Sequence, residues 1–188
     1  NHTNSGIRLR SDAKMTYKGR NEHTDDYKPL VIIKKDGTSG EVISITGDDE
    51  KQYTYIDTFV NGSATNQYFA LAYVVKVGSY QELVDALKNP NTYITLIDNI
   101  ELEGEIVIDK EMTFIKGEGF AIVPNNYKFS VKNTQNVTIK DVKFNEYSDT
   151  ALSIWNSENV KIENVDFLGN LDDYPTKSKV GLDIYGST

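Results

Sequence analysis

Two stretches decide the fold: "NTQNVTIKDVKFN" (Asn133–Asn145) and "NSENVKIENVDFL" (Asn156–Leu168). They repeat at an offset of 23 residues. Their apolar runs are short, β-branched and alternate with polar residues, which is strand rather than helix periodicity. The repeat extends upstream, where Phe129–Val131 aligns with Leu152–Ile154. It also extends downstream: "GLDIYGS" from Gly181 aligns with "ALSIWNS" from Ala151 at an offset of 30, and the additional residues lie in the loop "GNLDDYPTKSK". Further upstream, "MTFIKGEG" from Met112 resembles "VTIKDVKF" from Val137 at an offset of about 25.

A period of this size with three short strands per repeat predicts a solenoid in which each repeat is one coil. The fold class is therefore all-β: a parallel β-helix of about 23 residues per coil. Right-handed winding is expected because parallel crossovers are almost always right-handed. Rungs stack at about 4.8 Å, so aligned residues become neighbours. Asn133 over Asn156 and Asn136 over Asn159 are expected to form asparagine ladders at corners. Val137 over Val160, Ile139 over Ile162, Val142 over Val165 and Phe144 over Phe167 are expected to build the core.

Just before the repeats, "GSYQELVDALKNP" switches to helical spacing. Ser79 followed by Glu82 is a capping box. Tyr80, Leu83, Val84 and Leu87 share one face, and Pro90 stops the helix, placing it at residues 79–88. Such a helix would cover the open end of the core, where strand edges are otherwise exposed. Upstream, "PLVIIKK", "EVISIT", "YTYIDTFV" and "YFALAYVVKV" read as four strands joined by turn clusters, a small antiparallel unit. Residues 1–28 are polar, part of them a mobile tail. The domain division is thus 1–76 for the tail and the small β-rich unit, and 77–188 for the helix and the β-helix. The chain begins at Asn1 without methionine and breaks off within an aligned repeat at Thr188, so it reads as part of a longer polypeptide.

Composition excludes several classes. There is no cysteine, which removes disulfide frameworks, thiolate metal sites and cysteine nucleophiles. No apolar run is long enough to span a membrane. The net charge of −8 resides in residues 77–188, because residues 1–76 carry equal numbers of basic and acidic side chains. That acidic half is opposite to the basic footprint of a nucleic-acid-binding protein. It is compatible with a cation such as Ca²⁺. No phosphate loop, nucleophile elbow or spaced histidine motif is present, and His2 and His23 lie in the polar N-terminal stretch. No catalytic residue is assigned.

The string "MTFIKGEGFAI…NVTIKDVKF…DTALSIWNSENVKIENVDF…VGLDIYGS" resembles the pectate lyase superfamily over residues 112–188. That family shows "TIIGxG", "NVIIRNI", "AISIxxSxNVWIDHC" and "DGLxDIxxGS" in the same order. The part from the helix through "NTYITLIDNIELEGEIVIDKEMTFIKGEG" is also similar to pectate-lyase-like adhesive modules of Gram-positive surface proteins. The resemblance implies a β-helix and either adhesion or Ca²⁺-dependent polysaccharide cleavage. At the lyase positions the sequence departs from the pattern. The calcium-binding aspartate of "WIDHC" corresponds to Glu163, the following histidine to Asn164, and the leading aspartate of "DGL" to Val180. The family's catalytic arginine lies beyond the matching stretch.

Candidate site residues follow from strand alternation. Leu152 and Ile154 align with Phe129 and Val131, and with Leu182 and Ile184, so these columns face inward. Ser130–Ser153–Asp183 and Lys132–Trp155–Tyr185 then face outward. Trp155 and Tyr185 form a candidate carbohydrate platform, with Ser153, Asp183 and Lys132 supplying hydrogen bonds. The competing readings are that residues 1–76 or the 169–179 loop pack over Trp155, or that the rings are scattered exposed residues without function. Asp172, Asp173 and Asp183 are the candidate Ca²⁺ ligands. Glu163 and Asp166 are instead expected to pair with Lys140 and Lys143 one rung away. The expected function is a secreted or surface-displayed bacterial module that binds a glycan or a host protein without catalysis. The alternatives are a fragment of a pectate-type lyase or other carbohydrate-active enzyme, and a structural spacer.

Overall fold

The computed structural model describes residues 7–9, 31–34, 45–46, 52–58, 67–169 and 179–187. The chain divides into two units, residues 1–74 and 75–188. In the first unit, β1 (Ile7–Leu9), β2 (Val31–Lys34), β3 (Ile45–Thr46), β4 (Gln52–Thr58) and the start of β5 (Gln67–Val77) are strands. Antiparallel pairs join β2 to β5, β3 to β4 and β4 to β5. β1 lies in the stretch read as polar and partly mobile, yet it pairs parallel to β2. Three residues are too few for alternation to register in sequence; the partner strand supplies the order.

The second unit opens with α1 (Tyr80–Ala86). Ser79 Oγ accepts from the Glu82 N–H at 3.3 Å, which is the N-cap expected from the spacing. Glu82 Oε2 reaches one residue further back than a capping box requires and accepts from the Gly78 N–H at 2.8 Å. The helix ends before residue 88. Pro90 disfavours helical backbone at the residue before it, and Asn91 turns left-handed with φ 52°. Leu83, Ala86 and Leu87 bury into the same apolar cluster as Ile94, Ile115 and Ile139.

About four coils follow. They are β6 (Thr92–Leu96), β7 (Ile100–Glu101), β8 (Ile106–Ile108); β9 (Thr113–Lys116), β10 (Ala121–Val123), β11 (Phe129–Lys132); β12 (Gln135–Lys140), β13 (Lys143–Asn145), β14 (Thr150–Trp155); β15 (Glu158–Glu163), β16 (Asp166–Leu168), β17 (Val180–Tyr185). Each coil contributes one strand to each of three sheets, ordered β6–β9–β12–β15, β7–β10–β13–β16 and β8–β11–β14–β17. All neighbours within them are parallel. The fold is a parallel β-solenoid.

Register agrees with the sequence repeat over the last two coils: Val137 pairs with Val160, Ile139 with Ile162 and Phe144 with Phe167. One coil upstream it differs from the expected offset of about 25. Thr113 pairs with Val137 and Ile115 with Ile139, a spacing of 24. Side chains alternate, so a one-residue slip exchanges inside for outside. Phe114, which the longer offset would place over Ile139, instead faces outward, and Thr113 and Ile115 are sealed inside.

Corners need backbone that turns against the strand twist, and left-handed residues supply it. Asn91, Met112, Asn136 and Asn159 form one such column at successive coils, with φ between 51° and 58°. Asn tolerates this conformation better than other L-residues. Asn159 Nδ2 also donates to Asn136 Oδ1 at 2.6 Å, the ladder expected from the repeat. At Gly117 the opposite constraint applies: a Cβ would be driven into the Asp141 carbonyl and would lie 2.7 Å from the Val142 Cα. Gly117–Gly119 is a tight turn closed by Phe120 N–H to Gly117 O at 2.8 Å.

Burial declines along the axis. Ile115 and Ile139 are fully buried, Ile162 is half-buried, and Ile184, inward by register, is 56% exposed. Each rung is covered by the next, and no rung follows β17 among the described residues.

Candidate functional site

The five residues proposed as a carbohydrate platform come together on the outer face of the sheet β8–β11–β14–β17. Alternation on β14 buries Leu152 and Ile154 and turns Ser153 and Trp155 outward. Lys132 pairs with Trp155, and Trp155 with Tyr185; Ser130 pairs with Ser153, and Ser153 with Asp183. Trp155 is 42% and Tyr185 64% exposed. Their ring centroids are 5.2 Å apart with planes tilted at 44°. The tilt prevents either ring from closing the other's face. Ser130 departs from the expectation for its column. It faces outward by register yet is 1% exposed, and its hydroxyl donates to the Ile106 carbonyl at 3.2 Å. A short side chain bonded back onto its own sheet is shaded by longer neighbours.

A second aromatic pair escaped the sequence reading because of the register slip at Phe114. Tyr93 and Phe114 are neighbours on the outer face of β6–β9. Their rings stack at 4.5 Å with planes only 6° apart, so each covers a face of the other. Burial pushes the Tyr93 hydroxyl above the ordinary tyrosine range, against the opposing field of Lys116. This pair is a stacked ladder, and the tilted Trp155–Tyr185 pair is the one with faces to offer.

A groove adjoins the platform at the corner between that sheet and β9–β12–β15. It has a volume of about 670 Å³. Equivalent turns of three successive coils line it: Asp109–Glu111, Asn133–Gln135, and Asn156 with Glu158. Gln135 Nε2 donates to Glu111 Oε2 at 2.8 Å, and Gln135 pairs with Glu158 on the next rung. Lys110 Nζ lies 3.2 Å from Asp109 Oδ1. Asn156 follows Trp155 directly in the chain, so groove and platform share an edge. No single repeat signals this groove in sequence, because its floor is assembled from corners of three coils.

The calcium proposal has a different outcome at each position. Asp172 and Asp173 lie outside the described residues. Asp183 stands exposed on β17 beside Ser153. Among the described residues no group of three or more His, Asp or Glu side chains could hold a metal ion. Glu163, at the position of the family's calcium-binding aspartate, lies 3.1 Å from Lys140 Nζ. Asn164, at the histidine position, donates from Nδ2 to Asp141 Oδ1 at 2.7 Å. An ammonium in contact with the carboxylate does not fit a Ca²⁺ ligand set. Lys143 and Asp166 are ladder neighbours, as the repeat requires. No helix among the described residues is long and apolar enough to cross a membrane.

No protein-family model matches the chain, and neither does any curated protein or solved structure. What the structure shows is the parallel β-solenoid itself.

Proposed function

We propose that residues 75–188 are a pectate-lyase-like carbohydrate-binding or adhesion module, secreted or displayed on a bacterial surface, that acts without catalysis. The observation that carries this reading is the exposed, tilted Trp155–Tyr185 pair on the outer face of β14 and β17. Sugar rings present apolar C–H faces and a polar rim, which suits an aromatic surface bordered by hydrogen-bonding groups. Ser153, Asp183 and Lys132 provide that border. A host glycoprotein is a second carrier of the same ligand chemistry.

A Ca²⁺-dependent lyase is the weaker reading, because Lys140 already engages Glu163, at the position of the family's calcium-binding aspartate, and Asn164 replaces the histidine of the motif.

The test is a glycan array with the wild-type protein and Trp155→Ala, together with a lyase assay on polygalacturonate with Ca²⁺. Trp155→Ala should weaken glycan binding at least tenfold, since losing one ring contact costs on the order of 1.4 kcal/mol. Unchanged binding by the variant overturns the platform, and cleavage of polygalacturonate overturns the non-catalytic reading.

A further inference from the structure

We propose that the corner groove beside Trp155 is a subsite for a linear, uncharged polysaccharide lying parallel to the solenoid axis. The inference rests on the carbohydrate reading of the Trp155–Tyr185 platform and names the class of chain it would take. Three features carry it.

Direction comes first. The lining residues occupy equivalent turns of three successive coils, so the groove runs across the rungs. Its side chains recur every rung, about 4.8 Å apart. A chain of β-linked pyranoses advances by a similar distance per sugar. Each sugar laid along the axis therefore meets one set of groove side chains. A branched or compact ligand would not use this periodicity.

Chemistry comes second. Asn133, Asn156 and Gln135 offer amides that both donate and accept, and Glu111 and Glu158 accept. Sugar hydroxyls, which both donate and accept, match this mixture. The groove contains no large apolar side chain apart from Pro90, so ring stacking is left to Trp155 at its edge.

Charge comes third. Asp109, Glu111 and Glu158 face a single cation, Lys110, itself held by Asp109. Like charges in a shared groove are repulsive, so a polyuronate is disfavoured and a neutral chain is admitted. This selectivity is opposite to the one a pectate-type substrate would require.

The test is affinity electrophoresis through gels containing xylan, a glucan or a mannan, with polygalacturonate as the anionic arm, followed by titration with oligosaccharides of increasing length. The wild-type protein should be retarded by at least one neutral chain and not by polygalacturonate. Fragments of three or more sugars should bind about tenfold more tightly than the disaccharide. Gln135→Ala and Glu158→Ala alter exposed side chains and leave the core intact, as a thermal melt would verify. They should abolish the gain with length while leaving the Trp155-dependent binding of short sugars in place. Affinity independent of length, groove variants that behave as wild type, or preferential binding of polygalacturonate would each overturn the groove proposal and leave the platform standing. If Trp155→Ala has no effect while the groove variants lose binding, the platform falls and the groove stands. Failure of the wild-type protein to bind any glycan overturns both.

Discussion

Phe144 and Phe167 occupy the same column one rung apart, and the solenoid assigns them unequal energies. Phe144 is fully buried. It stacks on Phe167 with ring centroids 5.6 Å apart and meets Phe129 edge-on at 5.4 Å. Phe167 has Phe144 on one side and is half-buried, because no further coil covers it among the described residues. Replacing a sealed phenylalanine by alanine costs about 3–5 kcal/mol, combining lost transfer energy with a cavity the neighbours cannot fill. Phe167→Ala should cost roughly half as much, since part of its surface already meets water and no cavity is enclosed. For a unit of this size the melting temperature falls by roughly 4 °C per kcal/mol, so Phe144→Ala should melt more than 10 °C lower. Urea unfolding, followed by the fluorescence of the single tryptophan and by circular dichroism, measures both variants. Equal costs, or a larger cost at Phe167, would refute the burial gradient and with it the placement of β16 on the last rung.

Two further predictions probe the register and the pH dependence. Ile115→Lys should abolish folding by burying an unpaired charge, whereas Phe114→Lys should fold with a loss of about 1 kcal/mol from the stacked Tyr93 pair. An offset of 25 would reverse that order, and the soluble yields and melting temperatures of the two variants decide between them. Burial raises the Tyr93 hydroxyl above its ordinary value of about 10, so the folded state holds a proton that the unfolded state releases. Stability from this group is complete below about pH 10 and is lost as pH rises through the folded value. Tyr93→Phe should therefore flatten the alkaline decline in urea midpoints, and superimposable curves for wild type and variant would rule out the shift.

The solenoid was legible because stacking forces one side-chain type to recur at one place in every rung. Val137 and Val160, Ile139 and Ile162, and Asn136 and Asn159 are such pairs, and their spacing is the coil length. The capping helix was legible from Ser79 and Glu82, although its last turn was not, because beyond Leu87 the bonds tighten to Lys88 N–H on Asp85 O and Asn89 N–H on Ala86 O, both at 3.4 Å. The slip at Phe114 has a physical origin. An outward aromatic next to inward Ile115 gives two adjacent apolar residues, and hydrophobicity alone cannot say which enters the core. Stacking on Tyr93 resolves it, and that contact is invisible without the pairing of β6 and β9. Strand β1 and the corner groove were illegible for a related reason, since each exists only through segments distant in sequence. The positions of Trp155 and Tyr185 were legible because strict alternation and three aligned copies left no other face for them.

The ladder that builds the fold also decides which outer side chains meet one another. In several outer columns each rung answers the next: Lys140 meets Glu163, Asn164 meets Asp141, and Phe114 lies flat on Tyr93. At Glu163, the position of the family's calcium-binding aspartate, the partner is a lysine. The column Lys132–Trp155–Tyr185 does not follow that rule. It changes from a cation to two exposed rings that touch with their planes tilted at 44°. Exposed apolar side chains are common on protein surfaces, and two adjoining exposed rings are the feature on which the proposed ligand contact rests. In the adjoining groove, Asn133, Asn156 and Glu158 line open space. On the proposed carbohydrate reading, the ligand would sit where the ladder changes character, at Trp155 and Tyr185.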